Sequence, residues 1–292
     1  MVQSNSIGST IQMAFGIPSW VVGIILVIIC GFIFMGGVDR LASVTEKLVP
    51  VMAAFFLIGG LGVLAMRLQY IPETFGLIFK YAFQPQAIIG GGFGIAIKTA
   101  VSQGAKRGLF SNEAGMGSTP HAHALALVKN PHEQGCVAMV GVFIDTFIVL
   151  TLNALVIIST LYAGNGPLAN GYVGEAANTL KNTNLAQVAF GVVYGDKAGA
   201  VFVAICLFFF AFSTILGWNL FAKINVTYLF GKKAQRPFML VALVFIFLGT
   251  IGESDLVWAC SDMFNQLMVI PNAIALFALT GVVTKMLGDR DK

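Results

Sequence analysis

Apolar residues in this chain come in long blocks, not in alternation. Blocks at about 19–37, 48–66, 87–103, 136–162, 197–221, 238–254 and 263–285 are nearly continuous, and short polar or Gly- and Pro-marked connectors separate them. Crossing a hydrocarbon core of about 30 Å takes roughly 20 helical residues, so each block predicts a membrane-spanning helix. Met1 to Ala14 adds a shorter stretch of small and polar residues that ends at "FGIPSW". It has no basic n-region and no cleavage site, which excludes a signal peptide, and it reads as the end of a membrane helix in a truncated chain. The expectation is an all-α polytopic membrane protein of about seven and a half transmembrane helices, forming a single domain over residues 1–292.

Composition agrees with that pattern. Hydrophobic residues make up 57% of the 292, charged residues 10%, and the mean hydropathy is +0.86. Cys30, Cys136, Cys206 and Cys260 stand singly in apolar segments, which suggests neither a disulfide framework nor a zinc site. The net charge of +4 gives no case for nucleic acid, because the basic residues fall between spans. They orient the chain instead. Placing the 36–47 connector inside puts twelve of the seventeen Lys and Arg inside, from Arg40 and Lys47 to Arg290 and Lys292. Arg67, Lys80, Lys181 and Lys197 then lie outside and Lys98 within a span, and the C-terminus is cytoplasmic. Outside, residues 70–83 suit an interfacial helix, and the long segment from Ala163 to Lys197 suits a helical pair forming a lid.

Polar groups inside the spans are the binding candidates. "QAIIGGGFGIAIKTAVSQG", from Gln86, carries four glycines that permit the backbone to open, as in transporter sites built from broken helices, or that simply allow close helix packing. Lys98 is expected to snorkel. Asp145 and Asn153 lie two turns apart on nearly one helix face, as a functional pair or as helix glue. Ser213 and Thr214 in "FFFAFSTILGWNLF" offer hard oxygen ligands for an alkali cation, and Trp218 one turn on can close an apolar pocket, although such hydroxyls often bond their own backbone. Asp262, Asn265 and Gln266 mark the extracellular end of the last span.

"KRGLFSNEAGMGSTPHAHA", residues 106–124, looks most like reaction chemistry. It has no P-loop pattern, and its His121 and His123 splay on a helix without a nearby carboxylate or Cys to complete a metal set. A triad of Ser111, His121 and Asp145 has no nucleophile elbow behind it. Its position after the Gly-broken span makes it a cytoplasmic connector at an inner gate.

"RGLFSNEAGMGSTPHAHA" resembles the signature of the alanine or glycine:cation symporter family, also called sodium:alanine symporters, and "MVQSNSI" resembles another family segment. The resemblance runs along the whole chain. It implies a leucine-transporter-like inverted-repeat fold, of which this chain holds core helices 3 to 10 and lacks the first two. Without those helices the fragment is expected not to transport. On that template Phe93, Ile97, Gly92, Thr214 and Trp218 are expected to bind substrate, with Gln3 and Asn5 on the cavity wall. Ser213 and Thr214 are expected to hold sodium, with Asp145 as a further ion candidate. The resemblance implies sodium-coupled symport of alanine or glycine across the inner or plasma membrane by alternating access, with Na+ co-transported, no other cofactor and no enzymatic step. The alternatives are a membrane enzyme using Glu113, His121 and His123, and an inactive transporter fragment.

Overall fold

The computed structural model describes residues 1–83, 93–113, 115–169, 180 and 183–288. The described elements are α1 (Val2–Phe15), α2 (Ser19–Met35), α3 (Gly37–Met66), α4 (Ile71–Phe83), α5 (Phe93–Ser111) and the single turn α6 (Pro120–His123). They continue with α7 (Pro131–Tyr162), α8 (Thr183–Tyr194), α9 (Asp196–Phe230), α10 (Gln235–Ile251) and α11 (Ser254–Gly288). Five stretches among the described residues are long and apolar enough to cross a membrane: Ser43–Met66, Pro131–Tyr162, Asp196–Phe230, Lys232–Ile251 and Ser254–Met286.

Several helices run past their apolar blocks. The 36–47 connector is the first part of α3, because Leu41, Val44 and Leu48 repeat at helical spacing and pack on the core. Arg40 ties that start to α2, donating from Nη1 to Phe32 O at 2.9 Å. α9 continues through Phe230, and α5 runs on to Ser111. Residues 70–83, expected to be helical, form α4 from Ile71, and Glu73 Oε1 accepts from the Gly164 N–H at 3.1 Å. Of the expected lid, α8 is described, while 170–179 and 181–182 lie outside the described residues.

α1 sits at the centre despite its polar composition. Val2, Ser4, Asn5, Ser6, Ile7, Gly8 and Thr10 are all buried against α9, α10 and α2. A buried hydroxyl needs a partner, and Ser4 Oγ donates to Met1 O at 2.8 Å while Thr10 Oγ1 donates to Ser6 O at 2.8 Å. Asn5 Nδ2 donates to Gly249 O (3.0 Å) and Gly252 O (2.8 Å), clamping the end of α10. The approach there is close enough that a Cβ at Gly249 would lie 2.5 Å from Met1 Cα. Gln187 of α8 joins this centre through Nε2, which donates to Thr10 O and Ala200 O at 3.2 Å each.

Two apolar cores flank α9. One gathers Ile7, Leu26, Phe34, Phe212 and Leu216 from α1, α2 and α9, and the other Val63, Leu152, Val156, Phe190 and Val203 from α3, α7, α8 and α9. The outward faces stay apolar, as Ile28, Phe32, Leu240 and Phe277 illustrate, and lipid suits them as solvent. α7 departs from α-geometry twice, at the π-helical turns Ile144–Leu150 and Ile158–Tyr162. Arg67 holds the second, donating from Nε and Nη2 to Ser159 O at 3.1 and 2.6 Å.

Candidate functional site

A cavity of about 280 Å³ opens between α1, α9, α10 and α11. Thr214, Trp218 and Asn219 of α9 form one wall, Met1, Val2 and Gln3 another, and Phe110 closes it from the end of α5. Ser261 and Asn265 of α11 and Phe245 of α10 complete the ring. The wall is mainly apolar with a few polar groups at its edges, the usual makeup of a small-ligand site, and its volume is just below the common range of roughly 300–1,000 Å³.

The structure brings Gln3, Thr214 and Trp218 together here. Asn5, two residues on from Gln3, serves as the backbone clamp on α10 instead. Gly92 lies outside the described residues, and so do the side chains of Phe93 and Ile97. The hydroxyl pair divides. Ser213 Oγ and Thr214 Oγ1 both donate to Phe210 O at 2.9 Å, but Ser213 approaches Met52 Sδ of α3 at 3.6 Å, whereas Thr214 lines the cavity. A hydroxyl that donates to its own backbone keeps lone pairs for a cation. Asp145 stands apart, in the first π-helical turn of α7, where Ser111 Oγ donates to its Oδ2 at 3.4 Å.

Asp262 and Asn265 are preceded by eight or more residues of the same helix, which begins at Ser254. Both lie within α11 beyond its second turn; Asp262 Oδ1 pairs with Arg107 Nη1 at 3.3 Å, and Asn265 lines the cavity. The sequence reading missed them because a cluster of polar residues before an apolar block resembles a helix start.

The Gly-rich loop after α5 is a hub of hydrogen bonds. Trp218 Nε1 donates to Glu113 Oε1 at 3.1 Å, and Ser118 Oγ donates to Glu113 Oε2 at 2.9 Å. Asn272 Nδ2, next to Pro271 in α11, donates to Gly115 O at 3.0 Å, and Thr146 Oγ1 of α7 donates to Asn112 Oδ1 at 3.3 Å. His121 Nδ1 donates to Ser118 O at 2.9 Å, since a carbonyl can only accept, which leaves Nε2 to accept from Asn225 Nδ2 at 2.9 Å. Its ring also stacks on Phe221, with centroids 5.7 Å apart. Burial pushes the Glu113 carboxyl above the usual carboxylate range, and its two hydrogen bonds pull it partly back. In the sequence Glu113 stands within the family-like signature at an inner gate, with an enzyme role as the alternative. The available signal was a single carboxylate among small residues, directly after the Gly-rich span.

Enzyme chemistry finds little geometry here. His121 is engaged by Asn225 and Ser118, and Ser111 faces Asp145, so the three do not form a relay. His123 Nδ1 is paired with Gln134 Nε2 at 2.8 Å. No cluster of three or more His, Cys, Asp or Glu suited to a metal occurs among the described residues.

Comparison with known proteins gives one consistent answer. The family described as "Sodium:alanine symporter family" matches residues 1–292. The "Sodium/alanine symporter AgcS" of Methanococcus maripaludis is 38% identical over 284 residues, covering 97% of this chain and 59% of that protein. The "Sodium/proton-dependent alanine carrier protein" of Bacillus sp. strain PS3 is 37% identical over 290 residues, 95% of this chain and 63% of its own length. The "Probable sodium/glutamine symporter GlnT" of Bacillus subtilis is 34% identical over 290 residues, 99% of this chain and 57% of its own. The chain therefore spans about three fifths of the length of these relatives.

Proposed function

We propose that this chain, which belongs to the sodium:alanine symporter family, moves a small amino acid across a cell membrane together with sodium. The family and the names of the relatives indicate a transporter, and the long apolar helices make it a multi-pass membrane protein. The observation that carries the substrate reading is the cavity in which Thr214 and Trp218 face Gln3. Its small volume favours a substrate with a very short side chain, alanine or glycine. Binding would set the zwitterion against polar groups at the cavity edge and its side chain against the indole of Trp218 and the ring of Phe245. Phe93, Ile97 and Gly92 are proposed to complete the pocket from the Gly-rich segment. Thr214 and Ser213 are proposed as oxygen ligands for sodium, and Asp145 as a second cation position.

Transport in this reading is alternating access. The cavity opens to one side and then the other, and the ion gradient drives the cycle because ion and substrate are bound together. The Lys- and Arg-rich side, including the C-terminus, is proposed to be cytoplasmic. The test is uptake of radiolabelled alanine and glycine into vesicles carrying the complete protein, with and without an inward sodium gradient. Gradient-dependent accumulation is expected, with Trp218→Ala raising KM at least tenfold. Uptake that ignores the sodium gradient would overturn the cation assignment.

A further inference from the structure

We propose that the Glu113 carboxyl is a proton-binding site that controls the hold on the Trp218 indole, so that protonation of the loop is linked to occupancy of the cavity. The linkage rests on reading that cavity as the amino-acid site; the proton site does not.

The backbone gives the first argument. Glu113 has φ of 57°, the non-glycine residue with positive φ among the described residues, in a loop where Gly115 and Gly117 stand close by. Left-handed backbone is glycine's region, so an L-residue there is strained and calls for a role of its side chain. That side chain reaches α9. Trp218 Nε1 meets Oε1 and Ser118 Oγ meets Oε2, while Trp218 itself lines the cavity.

Among the described residues no Lys or Arg pairs with the carboxylate. Among the described residues the one Lys or Arg to acid pair is Arg107 with Asp262, and no His, Lys or Arg lies within ion-pair distance of Glu113. The ionisable groups on the surrounding elements are occupied elsewhere or distant from it by that measure: Arg107 on α5 with Asp262 on α11, Asp145 on α7 with Ser111, His121 in the loop with Asn225, and Lys223 further along α9. A carboxyl partly removed from water without a counter-charge is neutralised by a proton, and burial acts in that direction here.

Both protonation states have complete hydrogen bonding. As a carboxylate, Glu113 accepts from Trp218 and Ser118 in charge-assisted bonds. The indole N–H can only donate, so an arriving proton goes to Oε2. Ser118 then turns its hydroxyl hydrogen to Glu113 O, which lies 3.4 Å away, and its oxygen accepts from Oε2–H. The Trp218 bond becomes a weaker neutral one. The proton comes from water and returns to it, with no redox change. Alkaline conditions therefore hold the indole firmly, and acid loosens it.

Trp218 reports the state directly. Of the three tryptophans, Trp20 and Trp258 are removed as Trp20→Phe and Trp258→Phe, and the protein in phosphatidylethanolamine/phosphatidylglycerol nanodiscs is titrated from pH 4 to 9 by fluorescence, with circular dichroism as the check on folding. One transition is expected, with a midpoint above the ordinary Glu value of about 4.3. Glu113→Gln should abolish it. Ser118→Ala removes one donor to the carboxylate and should raise the midpoint while keeping the transition. An emission independent of pH, or a transition that survives Glu113→Gln, overturns the proposal. Saturating alanine is expected to move the midpoint, by one pH unit for each tenfold difference in affinity between the two states. A transition that meets the first two expectations but ignores alanine and glycine leaves the proton site standing and sinks the linkage, while the amino-acid reading of the cavity stands or falls on the sodium-gradient uptake.

Discussion

Glu113 has a consequence for stability that is independent of transport. In the folded protein its carboxyl keeps a proton to higher pH than in the unfolded chain. Between about pH 4.3 and that raised value the folded state binds more protons, so its stability falls as pH rises through the window. The difference between wild type and Glu113→Gln, measured by unfolding in mixed detergent micelles, should follow that slope, with the Gln protein gaining on wild type towards neutral pH. A second residue-scale test lies four positions on. Gly117 has φ of +73°, and a Cβ there would come within 2.5 Å of Asn272 Oδ1. Gly117→Ala should destabilise by about 1–3 kcal/mol in the same assay. Gly281→Ala, where a Cβ meets open space in α11, should be neutral or slightly stabilising.

Among the elements, α1 depends most on a few bonds. Asn5 satisfies two carbonyls at the end of α10, and removing it leaves the buried Gly249 acceptor and the partly buried Gly252 acceptor without that donor. Asn5→Ala is expected to cost about 1–3 kcal/mol, and Asn5→Asp, which offers no donor, at least as much by the same micelle unfolding. Much of the element layout was legible in the sequence, because a run of apolar residues long enough to cross lipid has few alternatives. The ends were not. Leu41, Val44 and Leu48 continue α3 backwards into what reads as a polar connector, since helical spacing of three apolar residues is a weak signal beside Asp39, Arg40 and Glu46. The site was legible in part. Thr214 and Trp218 share a helix face, which spacing reveals, but the meeting of Trp218 with Glu113 joins residues 105 apart in sequence through a loop bond. Periodicity carries no information about such a contact.

At the scale of the molecule, packing is uneven. α1 is enclosed by α9, α10 and α2, whereas the α11 span has none of its most apolar stretch buried within the protein. Hydrogen exchange in nanodiscs should therefore protect the amides of α1 and the middle of α9 longest, and α11 should open at lower free energy. Exchange equal along α1 and α11 would contradict that ordering. α9 contributes to both apolar cores, with Val203 in one and Phe212 and Leu216 in the other. A substitution such as Leu216→Ala should cost about 2–5 kcal/mol by micelle unfolding and loosen the helix that carries the cavity wall.

The two wide turns of α7 set the phase of that helix. A π-helical turn accommodates one residue more than an α-turn, and one residue corresponds to about 100° of rotation. Everything from Pro131 to Phe143 is thus turned, relative to Thr151–Ile157, away from the direction an uninterrupted helix would give it. Ser111 and Asn112 grip the first wide turn and Arg67 the second, each from a different part of the chain. α7 is thus a shaft with one wide turn at its middle and another at its C-terminal end, each held in phase by side chains from elsewhere in the chain.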